Sequence, residues 1–400
     1  MNLPVNAELL RAIRHDLHAH PELAFEEVRT ADKVAEVLGA AGIEVHRGLA
    51  GTGVVGVVRA GEGKRAIGLR ADMDALPLRE ANPFAHRSTH DGCMHACGHD
   101  GHTTMLLGAA QALAAQRDFD GVVYLIFQPA EEGAGGGQVM IDEGLFERFP
   151  MEAVFGMHNW PGIPAGQFAV HGGAVMAGTD RFDIRITGRG GHAAMPHLLV
   201  DPVLAGAALV QAVQSIASRT IDPTESAVVS ITRFRAGETY NVVPEVAELA
   251  GTCRAFSPAV RERIQARLHE LCTGISAAFG VQIDLTLLPG YPPTINSAPE
   301  AALCIEAARA VAGTEAVITD ARPSTGAEDF AYYLQQRPGA YVWIGNGPAD
   351  NGHTLHSPGY DFNDDILTLG VAYWVELVRR RLPRVSDLDA LAGSWSARIL

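Results

Sequence analysis

Cysteine is scarce in this chain: five residues in 400, odd in number and irregularly spaced. That pattern argues against a disulfide framework and for a reducing compartment with free or metal-bound thiols. Basic residues are outnumbered, 31 against 46 acidic ones, leaving a formal net charge of -15. A nucleic-acid partner would want a clustered basic face, so the balance speaks against one. No apolar run approaches the roughly 20 residues that span a bilayer. The opening segment, MNLPVNAELLRAIRHDLHAHPELAF, has no apolar stretch of the kind a secretory signal carries. These absences lead to the expectation of an acidic, cytoplasmic protein with neither a membrane nor a nucleic-acid partner.

What is present is ordinary in bulk: 47% hydrophobic and 19% charged residues, enough for a well-cored globular chain. A length of 400 residues exceeds the roughly 250–300 at which one core stops growing, so two domains are expected. Residues 6–41 have helical periodicity interrupted at Pro21. GVVGVV, RAIGLRAD, GVVYLIFQ and AVFGMH read as strands, and HTTMLLGAAQALAAQ as a helix between them. Such alternation predicts an α/β layer around a mainly parallel central sheet. Near Asp180 the pattern changes to β-α-β-β-α-β, with Asp201 and Pro202 opening the first helix. That order is the ferredoxin-like split arrangement, and the Pro-rich PGYPPTINSAP closes it. The expectation is therefore a catalytic domain of residues 1–180 and 292–400, with an α+β domain inserted at 181–291. The tail after Leu382 suggests no role.

Residues 94–102 read MHACGHDGH, with three histidines, a cysteine and an aspartate. A structural zinc knot, a catalytic thiol and one edge of a catalytic metal centre would each begin this way. Strand GVVYLIFQ leads directly into PAEEGAGGG, and catalytic groups of open α/β sheets collect at such carboxyl ends. Of the adjacent Glu131 and Glu132, one could bind metal while the other faces substrate and moves protons; a solvated loop pair is the plainer alternative. His158 ends the next apolar strand, and His356 lies in the loop after YVWIG. Together Cys97, His99, Glu132, His158 and His356 are one donor too many for a closed four-coordinate structural zinc. They suit two divalent ions roughly 3.5–4 Å apart. A thiolate donor favours borderline or soft ions over Mg²⁺. A cysteine nucleophile is the weaker option, because it needs one base and one orienting group and leaves the other residues unused.

With these residues assembled, the sequence resembles the M20 metallopeptidase family in its amidohydrolase branch. HPELAFEE, RADMDALPLRE, MHACGHDGH, FQPAEEGAGGG, GMHNWPGIPAG, GRGGHAAMPH, NVVPE, GTCRAF, GAEDFAYY and LHSPGYDF carry the resemblance, in family order, over nearly the whole chain. Other branches have His-x-Asp where this chain has Asp72-Met73-Asp74. The resemblance implies that Cys97, His99, Glu132, His158 and His356 hold two divalent ions (Zn²⁺, Mn²⁺, Co²⁺ or Ni²⁺), with Cys97 shared. It implies Glu131 as general base and acid, with Asp74 and Asp100 supporting the ligands. His192 would steady the oxyanion, usually from the partner subunit of a homodimer or dimer of dimers. Asn241 and Arg254 would lie near the substrate, a guanidinium being suited to a planar carboxylate. The implied reaction is hydrolysis of N-acyl amino acids of the hippurate type to a carboxylic acid and a free amino acid. A metallo-dipeptidase or aminopeptidase of the same fold, and a non-catalytic metal- or peptide-binding descendant, are the alternatives.

Overall fold

Helix α1 (Ala7–Ala19) starts where the Asn6 side chain accepts hydrogen bonds from the amides of Glu8 and Leu9. It buries Leu10, Ile13 and Leu17 at helical spacing, together with the polar Arg14 and His18. Helix α2 (Val28–Ala40) buries Ala31, Val34 and Leu38 in the same way, and the turn between the helices holds Pro21. The computed structural model describes residues 4–349 and 354–384, so residues 385–400 of the tail lie outside the described residues.

Two compact units result. The first comprises Met1–Gly173, Ile295–Arg322 and Tyr332–Leu400; the second comprises Ala174–Thr294 and Pro323–Ala331. Grouping of Pro323–Ala331 with the second unit is a return of the chain for which the strand-and-helix pattern has no marker.

In the first unit, β1 (Glu44–Leu49), β2 (Gly53–Ala60), β3 (Ala66–Asp72), β4 (Gly121–Gln128) and β5 (Ala153–Pro161) belong to an eight-stranded sheet. Its middle is parallel: β4 pairs with β3, β3 with β5, and β5 with Gly339–Gly347. Strands β1 and β2 join antiparallel at one side. β3 and β4 are buried at every position, as strands covered on both faces must be. Parallel pairing brings the carboxyl ends of β3, β4 and β5 to one side of the sheet, where Asp72 and Gln128 are in register. Helix α3 (His99–Gln116) is buried nearly all round, its buried residues apolar from Met105 onward. Its core position fixes His99 at its first residue.

The second unit has a four-stranded antiparallel sheet in the order Ala227–Ala236, Val246–Ala255, Gly178–Thr187, Gln282–Pro289. Helices Pro202–Ser215 and Pro258–Phe279 complete the β-α-β-β-α-β order. The first helix opens as expected, with Asp201 accepting from the amides of Val203 and Leu204 and Pro202 in its first turn. Val246–Ala255 alternates in burial residue by residue, so one face packs on Phe182, Ile184, Leu209 and Leu268.

Candidate metal centre

Cys97 and His99 flank Gly98, which sits at φ 91°, in the left-handed region. A Cβ there would collide with Asn159 Nδ2 and Tyr360 Oη, so only glycine lets the ligand segment lie this close to its neighbours. Donor atoms of Cys97, His99 and His158 fall within 4.8 Å of one another. Those of Cys97, Glu132 and His356 do so as well, as do those of His99, Glu131 and Glu132. Cys97 therefore belongs to two donor groups. His158 Nε2 lies 3.3 Å from its Sγ, and His356 Nε2 lies 3.3 Å from Glu132 Oε1. His356 is held in place by its own amide, which donates to the Ala96 carbonyl at 2.8 Å, with φ at 61°.

The donors fit metal ions on two counts. Among the described residues, buried His99 Nε2 makes no hydrogen bond, and buried Glu132 Oε1 has only the 3.3 Å approach of His356 Nε2. Leaving such atoms without partners costs about 1–3 kcal/mol each, which coordination relieves. Burial first, and then the charges of Glu132, Glu131 and Asp72, hold the Cys97 thiol well above its ordinary range. A thiolate forms there only beside a compensating cation.

Behind the donors lies a set of hydrogen bonds that fixes their orientation. Asp74 accepts from His99 Nδ1 through its carbonyl at 2.9 Å and its carboxylate at 3.2 Å, and from the Glu132 amide at 2.9 Å. His158 Nδ1 donates to the Asn159 carbonyl at 2.5 Å. Asp100 pairs with His18 at 2.8 Å and lies 3.6 Å from Arg14. Despite burial, the His18 and Arg14 charges hold the Asp100 carboxyl well below the usual range. Thus the polar residues on the buried face of α1 serve the first turn of α3.

His102 accepts the Asn159 amide at Nε2, 2.9 Å, and donates from Nδ1 to Asp72 at 2.6 Å. Both nitrogens are engaged, so its proximity to Asp72 and His99 does not make it a ligand. His95 is buried and its ring is kept neutral, its pKa lowered by burial to about 4.

Two further residues support the donors without a clear mark in the sequence, Asn159 and, in its full part, Asp72. The Asn159 amide group donates to the Cys97 carbonyl at 2.7 Å and accepts from Tyr360 Oη at 2.6 Å, joining β5 to two loops. Its only mark in the sequence is its place directly after His158. Asp72 is buried against Arg70, 2.6 Å away, as well as His102.

Within the second unit, exposed His192 and Asn241 come together. Gly191–His192 pairs antiparallel with Val242–Val243, and the Ala193 amide donates to the Asn241 carbonyl at 3.1 Å. Arg254, half-buried on Val246–Ala255, gives Nη1 to Thr179 Oγ1, to Thr252 Oγ1 at 2.6 Å and to the Cys253 carbonyl at 2.9 Å. Among the described residues it forms no ion pair with a carboxylate.

Residues 68–380 match the family model described as Peptidase family M20/M25/M40. Hippurate hydrolase of Campylobacter jejuni is 41% identical over 370 residues, covering 92% of this chain and 96% of that protein. N-acetylcysteine deacetylase of Bacillus subtilis is 39% identical over 367 residues, covering 91% and 94%. The crystal structure of a dinuclear metal-binding peptidase of the M20 family from Bacillus subtilis superposes with a TM-score of 0.83 at 35% identity, covering 94% of this chain and 98% of that one. This chain belongs to peptidase family M20/M25/M40, in its amidohydrolase branch, and is a hydrolase of that family.

Proposed function

We propose that the protein hydrolyses the amide bond of N-acyl amino acids, hippurate-like compounds among them, to a carboxylic acid and a free amino acid. The observation that carries this reading is the donor cluster of Cys97, His99, Glu132, His158 and His356, with buried Glu131 inside it. Cys97, common to two donor groups, would serve both of two divalent ions (Zn²⁺, Mn²⁺, Co²⁺ or Ni²⁺), and its sulfur favours borderline or soft ions over Mg²⁺. When bound, such ions supply Lewis acidity toward a carbonyl oxygen and make an attacking water acidic near neutral pH.

Glu131 takes a proton from the attacking water and delivers it to the departing amide nitrogen, so one carboxylate acts as base and then as acid. His99 and Glu132 are held to a common direction by Asp74. His192, supplied by a partner subunit of a homodimer or dimer of dimers, steadies the developing oxyanion. Asn241 and Arg254 recognise the polar end of the substrate. Among the described residues no helix is long and apolar enough to cross a membrane. Five buried, unbridged cysteines fit a reducing cytoplasm.

A panel of N-acetyl, N-benzoyl and longer N-acyl amino acids, run against dipeptides, tests the substrate class. The expected result is a higher kcat/KM for N-acyl amino acids, with benzoate released from hippurate. A preference for dipeptides would favour the metallo-dipeptidase alternative, and no turnover of either class, with metal present, a binding protein.

A further inference from the structure

The segment HPELAFEE has no part in the reaction as derived above, yet its last residue, Glu27, is fully buried. Glu27 stands at the start of α2 without capping that helix through its side chain. Its carboxylate instead accepts the Phe25 amide at 3.1 Å, the Thr52 hydroxyl at 2.7 Å and, 103 residues away in sequence, the Ala130 amide at 2.9 Å. Ala130 has φ 58°, a left-handed conformation uncommon for a residue with a side chain, and it directly precedes Glu131 and Glu132. The Ala130 carbonyl accepts the Gly136 amide at 2.9 Å, so its peptide groups are pinned on both sides. On the far side of Glu131, the amide of Glu132 ends on Asp74 at 2.9 Å. The amides on either side of Glu131 thus each end on a buried carboxylate.

We propose that Glu27 is a positioning residue for Glu131 and Glu132, holding at Ala130 the backbone from which both carboxylates project; this rests on the roles assigned to that pair above. The work is geometric. It needs an acceptor of glutamate length, and charge is secondary. Burial lifts the Glu27 pKa to about 7 against the lowering effect of the Thr52 and Ala130 hydrogen bonds, so an uncharged acceptor is tolerated there. Glutamine preserves length and one acceptor oxygen. Aspartate preserves charge but falls one methylene short, and a displacement of that order at a catalytic group is worth about 10²-fold.

The test compares Glu27→Gln, Glu27→Asp and Glu27→Ala with Glu131→Gln and Glu132→Ala as references. It reads kcat and KM on the best substrate of the acyl panel, metal content after dialysis, and thermal midpoint. Glu27→Gln is expected to stay near wild type, and Glu27→Asp and Glu27→Ala to lose roughly 10–100-fold in kcat with KM little changed. If Glu27→Ala does not fold, the Gln–Asp comparison still decides. Wild-type kcat in Glu27→Asp, or a fall in Glu27→Gln equal to that in Glu27→Asp, overturns the proposal. If Glu131→Gln keeps full rate or Glu132→Ala keeps its metal, the assignment of the pair falls first, and the positioning role with it. A loss in both reference variants beside unchanged Glu27 variants removes the positioning role alone.

Discussion

Glu131→Gln lowers the hydrolytic rate by roughly 10²–10⁴-fold, the usual worth of a positioned general acid–base group, while metal content stays at the wild-type level. Glutamine has nearly the shape of glutamate but cannot accept a proton from water or return it to nitrogen. Glu131 is buried, within a donor group formed with His99 and Glu132, so solvent offers a poor substitute. Full rate in this variant, measured on a substrate whose chemical step limits turnover, would remove Glu131 from the reaction. Loss of metal alongside the rate would assign it to the ligands instead.

Cys97→Ser releases metal. The thiol at this position is already held well above its ordinary range by burial and by Glu132, Glu131 and Asp72. A hydroxyl is far less acidic than a thiol, so the substituted side chain remains neutral and leaves the cluster one negative donor short. Cys97 also belongs to two donor groups, and both are impaired. Removing an outer hydrogen-bonding partner of a ligand costs roughly 10–100-fold in metal affinity; loss of this shared ligand exceeds that range. Metal analysis after dialysis against a buffered chelator reads the effect directly. Wild-type content in the variant would contradict a thiolate ligand, and activity lost with metal fully retained would revive the nucleophile.

Much of the candidate site was legible because its proposed donors sit where sheet architecture puts reactive groups. His158 lies on β5 and Glu132 just past β4, and both strands declare themselves by short apolar runs. Cys97 and His99 stand together at the start of a helix whose apolar run is equally plain. The β-α-β-β-α-β order of the second unit was readable for the same reason, since its strands alternate with period two. Asn159 and Glu27 were not legible as supports. Their bonds to the Cys97 carbonyl and the Ala130 amide reach 62 and 103 residues along the chain and end on backbone atoms, which carry no residue-type signal. The left-handed φ of Ala130 and His356 was hidden likewise, because neither position holds the glycine that usually marks it. His102 misleads in the opposite sense: its place in MHACGHDGH suggests a ligand, and only the bonds to Asp72 and Asn159 show both ring nitrogens in use.

In the proposed reaction, amide hydrolysis depends on two divalent ions held by Cys97, His99, Glu132, His158 and His356. Its most direct test is titration of chelator-stripped protein with Zn²⁺ or Mn²⁺, following benzoate release from hippurate and bound metal together. The expected result is negligible turnover in the stripped protein and recovery that saturates at two ions per chain. Full activity in protein shown by analysis to be free of metal would contradict it.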